Sequence, residues 1–318
     1  MKIKSIKKIK YNGDTYNLHI KNNHNYFACG INISNCHKAS ADTIQDILNC
    51  STKARWKSGG TGSLGDNIVD NLKIEGAIGE VKKIISMKEM IDLGLATKIV
   101  IKPIFLQYDP HVVKDIKTMN YNEEDKFIRN FRPRAKFLAR IMNAIDDNIM
   151  LIYKNIDAAT TILEELIKLK DPDRVFNIKD FRKQNDLKVY YSQGKTKSTE
   201  RNKFRQYLEE SKGCKLLGTQ SIIATGLNIK NLPFTIFESI GKSSTLTIQG
   251  LGRGARLHKD KKQSTVFDIV DDARYYSKRG KEYPNYKYKH WQERLDIYYS
   301  QEYFVDEPIY IHLSEDII

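Results

Sequence analysis

The sequence has no apolar run long enough to cross a bilayer and few cysteines. A membrane-spanning helix needs about 20 consecutive apolar residues, so we expect no membrane partner. The four cysteines form no C-x-x-C pair, which predicts neither a disulfide framework nor a zinc site; they are Cys29, Cys36, Cys50 and Cys214. The start, MKIKSIKKIK, lacks the apolar core and cleavage site of a signal peptide. We therefore expect a location in a reducing cytoplasm.

Acidic residues are scarce relative to basic ones. The chain has 39 Asp and Glu against 53 Lys and Arg, a formal net charge of +14. An excess of this size favours a polyanionic partner, with nucleic acid first and an anionic membrane second. A solvated lysine-rich surface is the alternative interpretation.

The middle of the chain alternates strand and helix patterns. At 318 residues with 40% hydrophobic content, the protein is long enough for two or more domains. Between residues 148 and 270, short apolar runs such as NIMLIY and STVFDIV alternate with helical segments such as DAATTILEELIKL, where Asp157 is the predicted N-cap. This alternation predicts an α/β fold with a parallel sheet covered on both faces.

The flanking regions have other patterns. Residues 1–35 predict short strands separated by turns, with YFACGINI as one extended run interrupted by glycine. A helix is predicted over 42–50, a second helix over 79–96, and a strand, KIVIKPIFLQY, that links two domains. The segment KHWQERLDIYYSQEYF predicts a packed amphipathic helix.

The segment TIQGLGRGARLH is the most informative part of the second half. On a helix, Arg253 and Arg256 are three residues apart and share a face, so both can reach one phosphate group. The three glycines do not have the G-x-G-x-x-G spacing of a dinucleotide site. Gln249, Gly252, Arg253 and Arg256 resemble the Q-x-x-G-R-x-x-R motif VI of superfamily 2 helicases.

Other segments resemble further helicase motifs in the correct order. LLGTQSIIATGLNIKNL, with Thr219 and Gly226, is similar to motif V, and NIMLIYKNIDAATTILEEL is similar to motif IV. Thr61 and Ser63, in WKSGGTGSLGD, match the Thr-Gly-Ser of motif III. That loop is not a P-loop, because Asp66 follows Gly65 where a P-loop has lysine.

Cys36 and His37 resemble the end of motif II, which reads Asp-Glu-x-His in this family, but Asn35 stands where the acid belongs. The whole pattern resembles the C-terminal half of UvsW-type phage recombination helicases. The resemblance implies a RecA-like fold, DNA as partner, and ATP with Mg²⁺ as cofactors once the missing half is present. It places nucleotide contacts on seven residues: His37, Thr61, Ser63, Gly226, Gln249, Arg253 and Arg256.

The first 35 residues resemble the C-terminal segment of an intein. Cys36 would accept the preceding flanking peptide as a thioester, because the thiolate is a strong nucleophile. Asn35 would then cyclise through its side-chain amide and cleave the 35–36 bond. His24 matches the histidine that shuttles protons in these steps. Many inteins have His before the terminal Asn; Ser34 stands here, as in the DnaE-type split inteins.

The two resemblances meet at one peptide bond, which predicts a trans-splicing precursor. The other intein fragment and helicase half would lie on a separate chain ending in Asp-Glu, and the splicing itself needs no cofactor. The six lysines and one aspartate of residues 1–35 would attract an acidic intein fragment. We expect a cytoplasmic protein of a phage-infected bacterium.

The predicted organisation has four parts. They are an all-β intein segment (1–35), the end of the first RecA-like domain (36–102), a complete second RecA-like domain (103–305) and a tail (306–318). The spliced product would be an ATP-dependent DNA helicase or branch-migration translocase. The alternative is a nucleic-acid-binding module, or a non-covalent helicase subunit, that does not splice.

Overall fold

The computed structural model describes residues 25–28, 31–34, 42–50, 67–83, 85–177, 187–193, 196, 198–220 and 229–314. The chain divides into two compact units, an amino-terminal unit (Met1–Ile84) and a carboxyl-terminal unit (Ile85–Ile318).

The amino-terminal unit contains a two-stranded antiparallel sheet and two helices. The elements are β1 (Asn25–Ala28), β2 (Ile31–Ser34), α1 (Asp42–Cys50) and α2 (Ile68–Ile78). In the sheet, Asn25 lies opposite Ser34 and Ala28 opposite Ile31. The helices pack through Leu48, Ile74 and Ala77.

Two predictions for this region are wrong in detail. The YFACGINI segment folds back into two paired strands rather than one extended run. Helix is absent from 79–83 in the predicted 79–96 segment. In the described residues of that segment, the helix is α3 (Met87–Asp92), which belongs to the carboxyl-terminal unit. Ser86 and Glu89 form a capping box at the start of α3. The preceding helix, α2, stops at Gly79, whose φ of 124° favours glycine.

The carboxyl-terminal unit alternates strands and helices along most of its length. After α3, its elements are β3 (Lys98–Tyr108), α4 (Pro110–Ile116), α5 (Tyr121–Asn130), α6 (Arg132–Ala144), β4 (Ile149–Tyr153), α7 (Ile156–Lys170), β5 (Val189–Ser192), α8 (Ser198–Glu210), β6 (Lys215–Thr219), β7 (Phe234–Phe237), α9 (Ser244–Gly254), β8 (Gln263–Asp272), β9 (Tyr275–Tyr276), β10 (Glu282–Tyr283), α10 (Tyr286–Ser300), β11 (Phe304–Val305) and β12 (Ile309–Leu313).

Eight of these strands form one parallel sheet. The order is β11-β3-β8-β7-β4-β6-β5, and β12 also pairs with β3. The prediction of a parallel α/β sheet is confirmed. The predicted domain boundary at 102/103 lies inside β3, which is one continuous strand. Residues 309–313, predicted as tail, are the strand β12.

Helices cover both faces of this sheet, as the sequence predicts. Side chains alternate along a strand, so β4 sends Leu151 and Tyr153 to one face and Met150 and Ile152 to the other. Helices α4 to α7 pack on the first face and α8 to α10 on the second. Each face therefore has its own apolar core.

Buried ion pairs connect helices α6 and α10 to residues at or near the ends of strands. The Arg134 side chain, on α6, is 2% exposed and donates to Asp271 (2.7 and 3.1 Å) and to Glu238 Oε1 (2.5 Å). The Tyr108 hydroxyl also donates to Asp271. Burial opposes the charge on Arg134, but Asp271 and then Glu238 raise its pKa above the usual value. On α10, Arg294 donates to both oxygens of Asp268 (2.8 and 3.0 Å).

In the described part of the chain, no helix combines the length and apolar character required to cross a membrane.

Candidate functional site

Helix α9 carries residues that the sequence motif singles out. Its first turn is capped by Ser243, whose hydroxyl accepts from the Leu246 amide. Gln249 and Arg253 are four residues apart on this helix and therefore share a face. Gln249 is half-buried and Arg253 is 9% exposed.

Two glycines let α9 pack closely against the sheet. A Cβ at Gly250 would lie 2.8 Å from the Phe237 ring, and one at Gly254 would lie 2.4 Å from Ser264 Oγ. Gly252, between them, faces open space. The glycines of the G-L-G-R-G run at positions 250 and 254 thus serve helix–sheet packing.

The helix ends before Arg256. The sequence predicts helix through residue 256, but α9 stops at Gly254 and Ala255 is its C-cap. Thr97 donates from its amide to Ala255 O (2.7 Å) and from its hydroxyl to Arg256 O (3.0 Å). Lys261 Nζ donates to Gly254 O (2.8 Å). The carbonyls that a helix end leaves unsatisfied are therefore bonded by residues outside the helix.

Arg253 and Arg256 lie close enough to influence each other. Burial, and then the charge of Arg256, lower the pKa of Arg253 to about 10. Burial also lowers the pKa of Arg256, opposed by the carboxylate of Glu209 on α8. Burial lowers the pKa of the neighbouring Lys261 to about 8, opposed by Glu209 and reinforced by Arg256. Three cations are thus grouped at the end of α9 and partly withdrawn from solvent.

Most residues of this site lie in a segment that matches a known family of domains. Residues 135–258 match the helicase conserved C-terminal domain. These residues are therefore similar to a helicase C-terminal domain.

Similarity to one relative, found both by sequence and by structure, extends beyond that segment. The chain is 27% identical, over 276 residues, to the ATP-dependent DNA helicase UvsW of Enterobacteria phage T4; the match covers 84% of this chain and 52% of the relative. The crystal structure of T4 UvsW matches with a TM-score of 0.57 at 24% identity, over 89% of this chain and 54% of UvsW. The chain thus spans about half the length of the curated relative.

A more distant structure has the same fold. A fragment of a putative HsdR subunit of a type I restriction enzyme from Vibrio vulnificus matches with a TM-score of 0.58 at 15% identity, over 84% of this chain and 46% of that one. The fold is RecA-like, as predicted, and the chain is similar to about half of UvsW.

The structure describes three of the ten predicted site residues, all in the carboxyl-terminal unit. Gln249 and Arg253 lie on α9, and Arg256 lies just beyond its end, close enough to Arg253 to lower the pKa of that side chain. The other seven lie outside the described residues; they are His24, Asn35, Cys36, His37, Thr61, Ser63 and Gly226.

No sequence signal points to the residues around the end of α9. Thr97 is 159 residues from Arg256, and Glu209 lies on a different helix. Both are common residue types outside any motif. Only the sheet, which places the start of β3 beside the end of α9, brings Thr97 to this position.

We predict that Gly254→Ala destabilises the domain by about 1–3 kcal/mol, because the new methyl group overlaps Ser264 Oγ. Gly252→Ala is the matched control on the same helix. Its Cβ meets nothing within 4 Å, and alanine favours helix by about 0.5–1 kcal/mol. Urea unfolding of both variants measures the difference. Equal stability of the two would contradict the packing role of Gly254.

Proposed function

We propose that this chain is the precursor half of an ATP-dependent DNA helicase or branch-migration translocase, joined to its N-terminal half by protein trans-splicing. The observation that carries the splicing proposal is the position of the Asn35–Cys36 bond, where the motif II pattern loses its acidic residues. The paired strands β1 and β2 support it, because β2 ends at Ser34, directly before that bond.

The proposed nucleotide chemistry rests on the arginines at the end of α9. Hydrolysis of ATP spreads negative charge over the γ-phosphoryl oxygens, and guanidinium groups stabilise that charge. Arg253 lies near the end of α9 and Arg256 lies just beyond it, close enough for their charges to interact, so one phosphate group can contact both. In this proposal Arg253 and Arg256 contact the γ-phosphate, and Gln249 lies on the same helical face as Arg253.

The remaining catalytic parts would come from the partner chain. The glycine-rich loop of this sequence has Asp66 in place of the P-loop lysine, and Asn35 precedes Cys36 where motif II has its acid. The P-loop lysine, the Mg²⁺-holding aspartate and the water-positioning glutamate therefore belong to the missing half. Alone, this chain is expected to hydrolyse no ATP.

The amino-terminal unit exposes apolar side chains that a partner segment would cover. Ile68, Val69 and Leu72 on α2 are 74%, 61% and 60% exposed. Three large apolar residues exposed on one short helix are costly in water. Their exposure supports the proposal that this unit is one part of a larger domain.

DNA is the proposed polymer because the similar T4 protein is an ATP-dependent DNA helicase and the net charge here is +14. Lysine and arginine contacts to phosphates would make the affinity depend strongly on salt.

A non-covalent helicase subunit is the second candidate. The carboxyl-terminal unit favours it, because its eight-stranded sheet has an apolar core on each face and needs no further segment to form one. Such a subunit would bind nucleic acid, and assemble with the other helicase half, without any peptide bond being made.

Co-expression with a partner ending in Asp-Glu followed by an intein N-terminal fragment separates the two candidates. We expect a ligated product and a released fragment of about 35 residues, seen by mass spectrometry of the intact proteins. Asn35→Ala together with Cys36→Ala should abolish both. Cys50→Ala is the matched control, because Cys50 is an exposed cysteine in the flanking helix. Intact chains that co-purify without ligation would exclude splicing and favour the non-covalent subunit.

A further inference from the structure

The segment after β8 combines basic and aromatic residues at high density. Residues 274–289, RYYSKRGKEYPNYKYK, contain six lysines and arginines, five tyrosines and one acid, Glu282. This segment includes β9, β10 and the start of α10, and it contains none of the helicase motifs. Cations interleaved with aromatic rings are typical of surfaces that bind single-stranded nucleic acid.

The strands β9 and β10 form a small antiparallel hairpin. Tyr275 lies opposite Tyr283, and their rings stack with centroids 4.9 Å apart at 4°. The tip is closed by hydrogen bonds between Ser277 and Lys281, and Gly280 there has a φ of 76°. Lys278 and Arg279 are therefore held, exposed, at the tip of a defined turn.

A cavity of about 250 Å³ lies between this hairpin, the region around α4 and α5, and the start of α10. Its wall includes the rings of Tyr275, Tyr283 and Tyr286. Two exposed lysines also line it: Lys117 Nζ is 4.4 Å from the centroid of the Tyr275 ring, and Lys289 Nζ is 5.3 Å from that of Tyr286. The volume is below the about 300–1,000 Å³ of pockets for drug-sized ligands and suits one flat group.

The acids beside the cavity are already bonded within the protein. Glu124 accepts from the Asn285 side chain (2.9 Å) and from the amides of Tyr286 (3.0 Å) and Lys287 (2.9 Å). Glu282 accepts from Arg274, which also binds both oxygens of Asp272. The carboxylates thus hold the start of α10 and the hairpin in place, while Lys117 and Lys289 are exposed and lie over the Tyr275 and Tyr286 rings at the cavity.

We propose that this surface binds single-stranded DNA. One base enters the cavity against the tyrosine rings, and the phosphates on either side pair with Lys117 and Lys289. Lys278 and Arg279 at the hairpin tip provide further positive charges for the phosphate backbone. The proposal deepens the proposed function and rests on it for the choice of DNA; the surface itself is separate from Arg253, Arg256 and the splice junction.

The test measures binding of labelled oligo(dT) to the full chain by fluorescence anisotropy, without ATP and at several salt concentrations. Tyr286→Ala is expected to lower the affinity by about 5- to 150-fold, the equivalent of the about 1–3 kcal/mol found for stacking of one base. Tyr286 is 38% exposed, so its replacement leaves the core intact. Tyr286→Phe should retain the affinity, because the ring is kept.

Tyr276→Ala is the matched control for the aromatic effect. Tyr276 is 61% exposed on the same hairpin and does not line the cavity. We expect its affinity to stay within about 2-fold of the unmodified chain, since no base stacks on its ring. A loss equal to that of Tyr286→Ala would contradict the proposed cavity.

The lysines are tested through the salt dependence. Lys117→Ala with Lys289→Ala should reduce the slope of log K against log salt by about 1.4, because each phosphate contact to a single strand contributes about 0.7. Lys168→Ala with Lys212→Ala removes the same charge from exposed positions elsewhere and should leave that slope unchanged. An equal change in both pairs would overturn the proposal, as would binding of oligo(rU) but not oligo(dT).

This assay needs neither ligation nor nucleotide hydrolysis. A failure here, with a ligated product still seen by mass spectrometry, would reject the hairpin surface and leave the splicing proposal standing. Loss of splicing with hairpin-dependent DNA binding retained would reject the splicing proposal and support the hairpin surface.

Discussion

Arg253→Ala is expected to lower kcat for DNA-stimulated ATP hydrolysis by about 10³–10⁵ in the complete helicase, the effect of removing an arginine that stabilises the transferring phosphoryl group. The complete helicase can be made by direct genetic fusion of the two halves without residues 1–35, so the result does not depend on splicing. Arg253→Lys should recover little of the loss, because an ammonium group lacks the planar, two-pronged geometry of guanidinium.

The control for this effect is an exposed arginine on another helix. Arg205 lies exposed on α8, and Arg205→Ala should leave kcat within about 2-fold of the unmodified enzyme. Circular dichroism melting of Arg253→Ala establishes that the variant is folded at the assay temperature. A folded Arg253→Ala enzyme with unchanged kcat would contradict the proposed contact with the γ-phosphate.

Arg134→Ala is expected to destabilise the carboxyl-terminal unit by about 3–5 kcal/mol, since it leaves Glu238 and Asp271 buried without their cation. Glu238 is 0% exposed and Asp271 is 2% exposed, so water cannot replace the lost guanidinium without opening the domain. Urea unfolding followed by circular dichroism measures the change.

Arg132 provides a matched control two residues away on α6. Its guanidinium binds Glu165 at 2.7 Å, but the Arg132 side chain is 55% exposed. Glu165 is buried, but its pair with Arg132 is open to solvent at the arginine and Lys168 Nζ lies 3.9 Å from the same carboxylate, so Arg132→Ala should cost about 1 kcal/mol, clearly less than Arg134→Ala. Similar losses for the two variants would show that burial of the Arg134 ion pairs is not what stabilises this region.

Local patterns explain which parts of the fold are predictable. NIMLIY and KIVIKPIFLQY are mostly apolar runs, and a strand buried on both faces of a parallel sheet needs such a run. The segment STERNKFRQYLEE forms the helix α8 over its full length. Helices α5 and α6 are not among the predictions, although apolar residues recur at i, i+3, i+4 and i+7 from Ala135 in α6. Arg134, Glu124 and Asp125 are buried there, against the usual tendency of charged residues.

Hydrogen bonds in the first turn set where two of the helices begin. The spacing of apolar residues does not reveal these positions. Asp157 is the predicted N-cap of α7, but Asn155 holds that place and accepts from the Asp157 and Ala158 amides. Both residue types favour the N-cap, so the sequence alone cannot choose between them. The helix in KHWQERLDIYYSQEYF also starts earlier than predicted, at Tyr286, because the carboxylate of Glu124 bonds its first amides.

The sequence by itself determined the parallel α/β class and the position of the helix that carries Gln249 and Arg253, because both depend on local periodicity and a short motif. Only the tertiary structure decided where that helix ends, what surrounds its arginines, and which elements enclose the cavity beside the tyrosine–lysine hairpin. These features depend on contacts between distant residues, such as Thr97 with Arg256 and Arg134 with Asp271. No local pattern specifies such pairs, since the sheet must form before their partners meet.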